Sequence, residues 1–110
     1  MLLVYDGTAE AQAALVRCSQ LGLALSAQVD VVSVVDSISA NANSAGLLSD
    51  LAYSRLEELA RHTLQTAIGK LADDGVTAHG YVTFGRTVDA VARHAAAFNP
   101  DMVLVGHRSQ

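Results

Sequence analysis

Residues 101–110 read "DMVLVGHRSQ", and the run Met102–Val105 inside that stretch decides the fold class. Four successive apolar residues with no polar alternation, closed by Gly106, describe a strand buried on both faces rather than one half-exposed to water. "QVDVVSVVD" (Gln28–Asp36) has the same character and is rich in β-branched residues, which suit a pleated, buried surface. "LLVY" (Leu2–Tyr5) is a shorter run of the same kind, and "VTAHGYVTF" (Val76–Phe84) reads as a further strand interrupted by Gly80.

The segments between these runs have helical spacing. From Ala9 to about Leu25, small and apolar residues recur at Ala11, Ala14, Leu15, Cys18, Gly22 and Leu25, and Thr8 stands where a hydroxyl can accept from free N–H groups of the first turn. A long helix is expected from about Leu47 to Ala72, with Leu48, Leu51, Ala52, Leu56, Leu59, Ala60, Thr63, Leu64, Ala67 and Leu71 on its apolar face and "DDG" (Asp73–Gly75) as its stop. Glu57/Arg61 and Glu58/His62 are i,i+4 pairs that fit a solvated face of this helix. A third helix runs to Phe98, with Thr87 as the expected cap and Asp89 placed favourably in its first turn. "SISANANSAG" (Ser37–Gly46) reads as a loop. The order is β-α-β-α-β-α-β. Strands joined through helices run parallel with right-handed crossovers, so the expected architecture is an open parallel α/β sheet, Rossmann-like or flavodoxin-like, with helices on both faces.

Composition narrows the function classes. The chain has 110 residues, the size of a single domain, with 51% hydrophobic and 16% charged residues, a folded composition. Its formal charge is −4 and it carries no basic run, which excludes nucleic-acid backbone binding. No apolar stretch reaches the length of a membrane span, and "MLLVYDG" lacks the basic region and long apolar core of a signal peptide. The lone Cys18 allows no internal disulfide, which fits a reducing cytoplasm, and its place on an apolar helix face makes it a small buried hydrophobe. His62, His79, His94 and His107 fall on separate elements without ligand spacing, so no metal site is expected. The G-x-G-x-x-G, G-x-x-x-x-G-K-[ST] and G-x-S-x-G motifs are missing, and the third strand ends "VTFG" without a phosphoacceptor Asp. The residues therefore point to a protein that is not an enzyme.

Ligands of open parallel sheets bind beyond the C-terminal ends of the strands, where the strand order reverses. The segments leaving those ends here are "DGT" (Asp6–Thr8), "VD" (Val35–Asp36), "FGR" (Phe84–Arg86) and "GHRS" (Gly106–Ser109). Taken in order, with the run "FGRTVDAVARHAAAFNPDMVLVG", they resemble the universal stress protein family. The resemblance covers the whole chain and lies in order and spacing: strand-Asp-Gly-Thr, strand-Val-Val-Asp, then a Gly-led helix into Asp-x-Val-x-Val-Gly.

The resemblance implies a stress-response protein with strand order 3-2-1-4-5, which places Asp6 beside Gly106 in the crevice between strands one and four. It implies adenine nucleotide, ATP or AMP, as ligand: an Asp after the first strand (Asp6) and a Val at the end of the second (Val34) line the nucleoside pocket. Gly106 opens the motif G-x-x-G, nine residues, G-[ST], whose backbone cradles phosphates. Thr8 stands where the family often has Ser, and His107 and Ser109 complete the candidate contacts. This sequence departs from the motif in having Ser109 at the second glycine position, with the third glycine and the fifth strand not among residues 1–110. Either the fifth strand and the phosphate loop lie beyond Gln110, which is the favoured expectation, or a partner chain pairs with the open edge.

Each candidate also has a plain reading. Asp6 either orients a nucleoside or accepts the backbone hydrogen bonds of a tight turn. Thr8 caps a helix or meets a ligand; Gly106 serves strand exit or close ligand approach; His107 and Arg108 meet phosphate or a partner, or are solvated. Arg86 is expected to face solvent. The expected partners are adenine nucleotide and a second copy of the chain in a cytoplasmic homodimer. The alternative is a dimeric interaction or scaffold protein of the same fold that binds no nucleotide.

Overall fold

The computed structural model describes residues 1–35 and 47–105, with 47–53 described as backbone. The loop expected over residues 37–46, the positions Asp36, Gly106, His107, Arg108 and Ser109, and the side chains of Leu48, Leu51 and Ala52 lie outside the described residues. Elements follow in the order β1 (Leu2–Val4), α1 (Ala9–Leu25), β2 (Val29–Val35), α2 (Leu47–Asp73), β3 (Ala78–Phe84), α3 (Thr87–Phe98) and β4 (Val103–Val105). The four strands form one parallel sheet in the order β3-β2-β1-β4. This is the expected architecture and the order 3-2-1-4.

Register fixes which side chains share a face. Leu2 pairs with Asp30 and Val103, Val4 with Val32 and Val105, and Val32 with Tyr81. On one face, Leu3, Tyr5, Val29 and Val31 meet Ala11, Leu15 and Cys18 of α1 and Leu64, Ala67 and Leu71 of α2 in the main core. Each fully buried Leu or Val there contributes about 1.5–3 kcal/mol of transfer free energy. The other face carries Asp30, Val32 and Tyr81 and is covered by α3, whose buried residues are Ala90 and His94.

Several local expectations change in the assembled fold. Gly80 does not interrupt β3: it pairs with Val31 in an unbroken register. A Cβ there would stand 2.7 Å from Ile68 Cδ1, so the glycine lets α2 lie close over the strand. Thr87 is the first residue of α3, not its cap; the cap position is Arg86, which makes no side-chain cap bond and is exposed. Leu25 and Leu59 belong to no buried face: they are 61% and 57% exposed. Among the described residues β4 has a neighbour on one side only, and its Val103 and Val105 are 41% and 55% exposed, not buried on both faces as their composition suggests. Glu57 and Arg61 pair at 2.7 Å on the solvated side of α2. Burial pushes the Cys18 thiol up, a shift only partly offset by the N-terminal ammonium, consistent with a core residue.

Candidate functional site

The chain reverses direction across the sheet at β1, which has β2 on one side and β4 on the other. The turn Asp6–Gly7–Thr8 leaves the C-terminal end of β1 at that point. Gly7 has φ +81, a left-handed backbone that glycine adopts without strain, and this lets the chain rise from the strand into α1.

Asp6 closes the turn. Its Oδ1 accepts from the Thr8 N–H at 3.0 Å and from the Thr8 hydroxyl at 2.7 Å. The Thr8 Oγ1 in turn accepts from the Ala11 N–H at 3.2 Å, as an N-cap does. One carboxylate oxygen thus orients the cap that starts α1. The expected cap role of Thr8 is present, and the turn-closing reading of Asp6 is the one the hydrogen bonds display. Asp6 is exposed, and its second oxygen, Oδ2, is not engaged in these bonds.

The ladder brings Val34 to the same edge. The Tyr5 N–H donates to Val32 O at 2.9 Å, carrying the β1–β2 pairing to the last residue before Asp6. Val34 lies two positions beyond Val32 and pairs with Thr83 of β3, half-buried. Asp6, Val34 and Thr83 therefore stand side by side along the C-terminal edge of three adjacent strands. Tyr5 is buried just beneath, and burial first and the Asp6 charge second push its phenol above its ordinary range. Of the six sequence-derived candidates, Asp6 and Thr8 are brought into direct contact and Val34 onto the same edge, while Gly106, His107 and Ser109 lie outside the described residues.

Sequence reasoning passed over a second group. A cavity of about 400 Å³ lies between the end of β3 and α3, lined by Thr83, Phe84, Ala90, Arg93 and His94. Arg93 donates to Phe84 O at 2.7 Å across its mouth. His94 is buried, edge-on to Tyr81 and stacked on Phe98 at 4.4 Å, with Nε2 3.6 Å from Asp30 Oδ2. At 3.6 Å this is an approach and not a hydrogen bond, and the buried Nε2 has no hydrogen-bond partner. No spacing in the sequence signals it, because Asp30 and His94 are 64 positions apart (94 − 30) and meet only through the crossover.

The Universal stress protein family model matches residues 1–110. Among solved structures, a protein of that family from Burkholderia pseudomallei superposes with TM-score 0.84 at 20% identity, covering 96% of this chain and 79% of that one. Universal stress protein UspA from Lactobacillus plantarum gives TM-score 0.80 at 18% identity, covering 99% and 77%. A universal stress protein family protein from Arabidopsis thaliana, solved with AMP bound, gives 0.70 at 14%, covering 98% and 75%. None of the curated proteins matches the chain. The strand order, the Asp6–Gly7–Thr8 turn at the reversal point and the family match over the full 110 residues agree: this chain belongs to the universal stress protein family.

Proposed function

We propose that this protein binds an adenine nucleotide, ATP or AMP, in the crevice between β1 and β4 and acts as a stress-response binding protein rather than an enzyme. One observation carries the reading: an exposed carboxylate, Asp6, stands with Val34 at the C-terminal edge where strand order reverses, next to the N-terminus of α1. Asp6 keeps Oδ2 for a ribose or base donor while Oδ1 holds the turn. Val34 offers an apolar wall for the nucleoside. Gly106, His107 and Ser109, outside the described residues, are the contacts that the family resemblance adds for the phosphates. The AMP bound by the Arabidopsis relative supports the ligand class.

The same reading takes residues 1–110 as one domain whose fifth strand lies outside them, working in the cytoplasm as a homodimer. Calorimetry with ATP and AMP on the complete protein tests it. Saturable heat that Asp6→Ala diminishes is the expected result, and no heat at about 1 mM nucleotide, the weakest affinity of interest, refutes it. A second reading, a dimeric interaction protein without nucleotide, is favoured by the closed Asp6–Thr8 turn, in which both side chains already have structural duties. A protein that binds no nucleotide yet sediments as a dimer at micromolar concentration establishes it.

A further inference from the structure

The sheet has a second edge, at β3, and it is built differently from the β4 edge. β3 runs seven residues, Ala78–Phe84, in continuous register with β2. Among the described residues no strand pairs with its outer side. Edge strands are ordinarily blunted by lysine, proline, a bulge or short length. "AHGYVTF" has no lysine or proline, no break in register, and more than twice the length of the three-residue β4.

The hydrogen-bond phase identifies the groups that face outward. Thr77 O accepts from the Val29 N–H at 3.1 Å, and the Gly85 N–H donates to Val35 O at 3.0 Å. In a parallel ladder, alternate residues turn both backbone groups toward the same neighbour. Residues 77, 79, 81, 83 and 85 therefore bond β2, and Gly80 and Val82 present their N–H and C=O groups to the outside.

A groove flanks this edge on each face. Between α2 and β3 lies a cleft of about 200 Å³ walled by Leu64, Ile68, Gly80 and Val82, with Arg61 at its rim. The α3 side has the cavity of about 400 Å³ with Thr83 and Arg93. An added strand sends alternate side chains to opposite faces, so one set falls into each groove. The first groove is of mixed character, with Leu64, Ile68 and Val82 beside Gln65 and an Arg61 already bonded to Glu57. The second has no carboxylate among its lining residues; its guanidinium, Arg93, donates to the Phe84 carbonyl at 2.7 Å but meets no counter-charge there, and the Thr83 Oγ1 buried in its wall makes no hydrogen bond.

We propose that the β3 edge docks an extended acidic segment of a partner protein by strand addition, its apolar side chains entering the α2 groove and its carboxylates facing Arg93 and Thr83. A second copy of this chain is the poorer occupant. Its own β3 carries no carboxylate, so two copies paired there would bring Arg93 to a strand without a counter-charge.

Amide hydrogen exchange on the complete protein tests this with two probes: the peptide acetyl-Val-Glu-Val-Glu-Val-Glu-Val-amide and its analogue with lysine in place of glutamate. The expected result is that Gly80 and Val82 exchange about tenfold more slowly at a peptide concentration ten times its Kd, as the free fraction falls in that ratio. The lysine analogue then has no effect, and Arg93→Gln weakens the glutamate peptide without moving the exchange of the β1–β2 amides. Val82→Pro removes one outward N–H without touching the β2 ladder and is expected to abolish docking; Arg93→Gln stands alone if that variant does not fold. Unchanged Gly80 and Val82 exchange at about 1 mM glutamate peptide, or equal protection by both peptides, overturns the proposal. Protection that grows with protein concentration in the absence of peptide also overturns it, in favour of a second copy.

Discussion

Replacing Asp6 by alanine separates the structural duty of this residue from its proposed binding duty. The substitution removes the acceptor of two hydrogen bonds, from the Thr8 N–H at 3.0 Å and the Thr8 hydroxyl at 2.7 Å, in an exposed turn. Hydrogen bonds of this kind contribute about 0.5–1.5 kcal/mol each, and the exposed Thr8 donors regain water, so the expected loss is about 1–2 kcal/mol. The Thr8 cap bond to Ala11 is then less well oriented, which places the loss toward the upper end of that range. In urea denaturation, with a slope of about 1–3 kcal/mol/M, the midpoint falls by roughly 0.5–1 M with the slope unchanged. Asp6→Asn keeps an oxygen for both Thr8 donors and is expected within about 0.5 kcal/mol of the parent protein, because it removes charge but not the acceptor. If Asp6→Ala moves the midpoint by less than the error while Thr8→Ala lowers stability by about 1 kcal/mol, the turn does not depend on the carboxylate and the reasoning fails. Loss of nucleotide heat in Asp6→Asn with stability retained assigns the negative charge to the ligand.

Three further residues probe the frame around the site. Gly80→Ala is expected to cost under about 1 kcal/mol, since the atom its Cβ meets is the mobile tip of Ile68, whereas Gly80→Val costs about 1–3 kcal/mol by overpacking; equal melting temperatures for the two variants contradict the close approach of α2. Cys18, fully buried with its thiol pushed up, is expected to react with a disulfide reagent at the rate of protein opening, so labelling at the rate of a free thiol refutes its core placement. The buried Tyr5 phenol, raised above 10.0, stabilises the fold fully below about pH 10, and that contribution is lost as pH rises through the raised value. Tyr5→Phe is therefore expected to flatten the fall in melting temperature above about pH 10, and an unchanged alkaline profile contradicts it.

The sequence by itself determined what local chemistry dictates. Runs such as "VVSVV" and "LLV" can only be strands covered by helices, and seven alternating elements make a parallel sheet. Thr8 is a cap because a hydroxyl three residues before a free N–H has few better uses, and Cys18 is in the core because its helical neighbours are apolar. The strand order came through the resemblance of the whole chain to a family, since periodicity says which segments are strands and not which are adjacent. Tertiary structure decided the rest. Gly80 reads as a break in a strand until α2 lies on it. Met102–Val105 reads as a strand buried on both faces, yet Val103 and Val105 are partly exposed in the described fold. Leu25 and Leu59 fit a helical stripe, but the assembled fold leaves both exposed. Whether Asp6 serves a turn or a ligand depends on where the Thr8 donors point, and Asp30 meets His94 only because a right-handed crossover folds α3 over β2. Such pairings arise between residues far apart in the chain, where burial and register, not local propensity, select the partner.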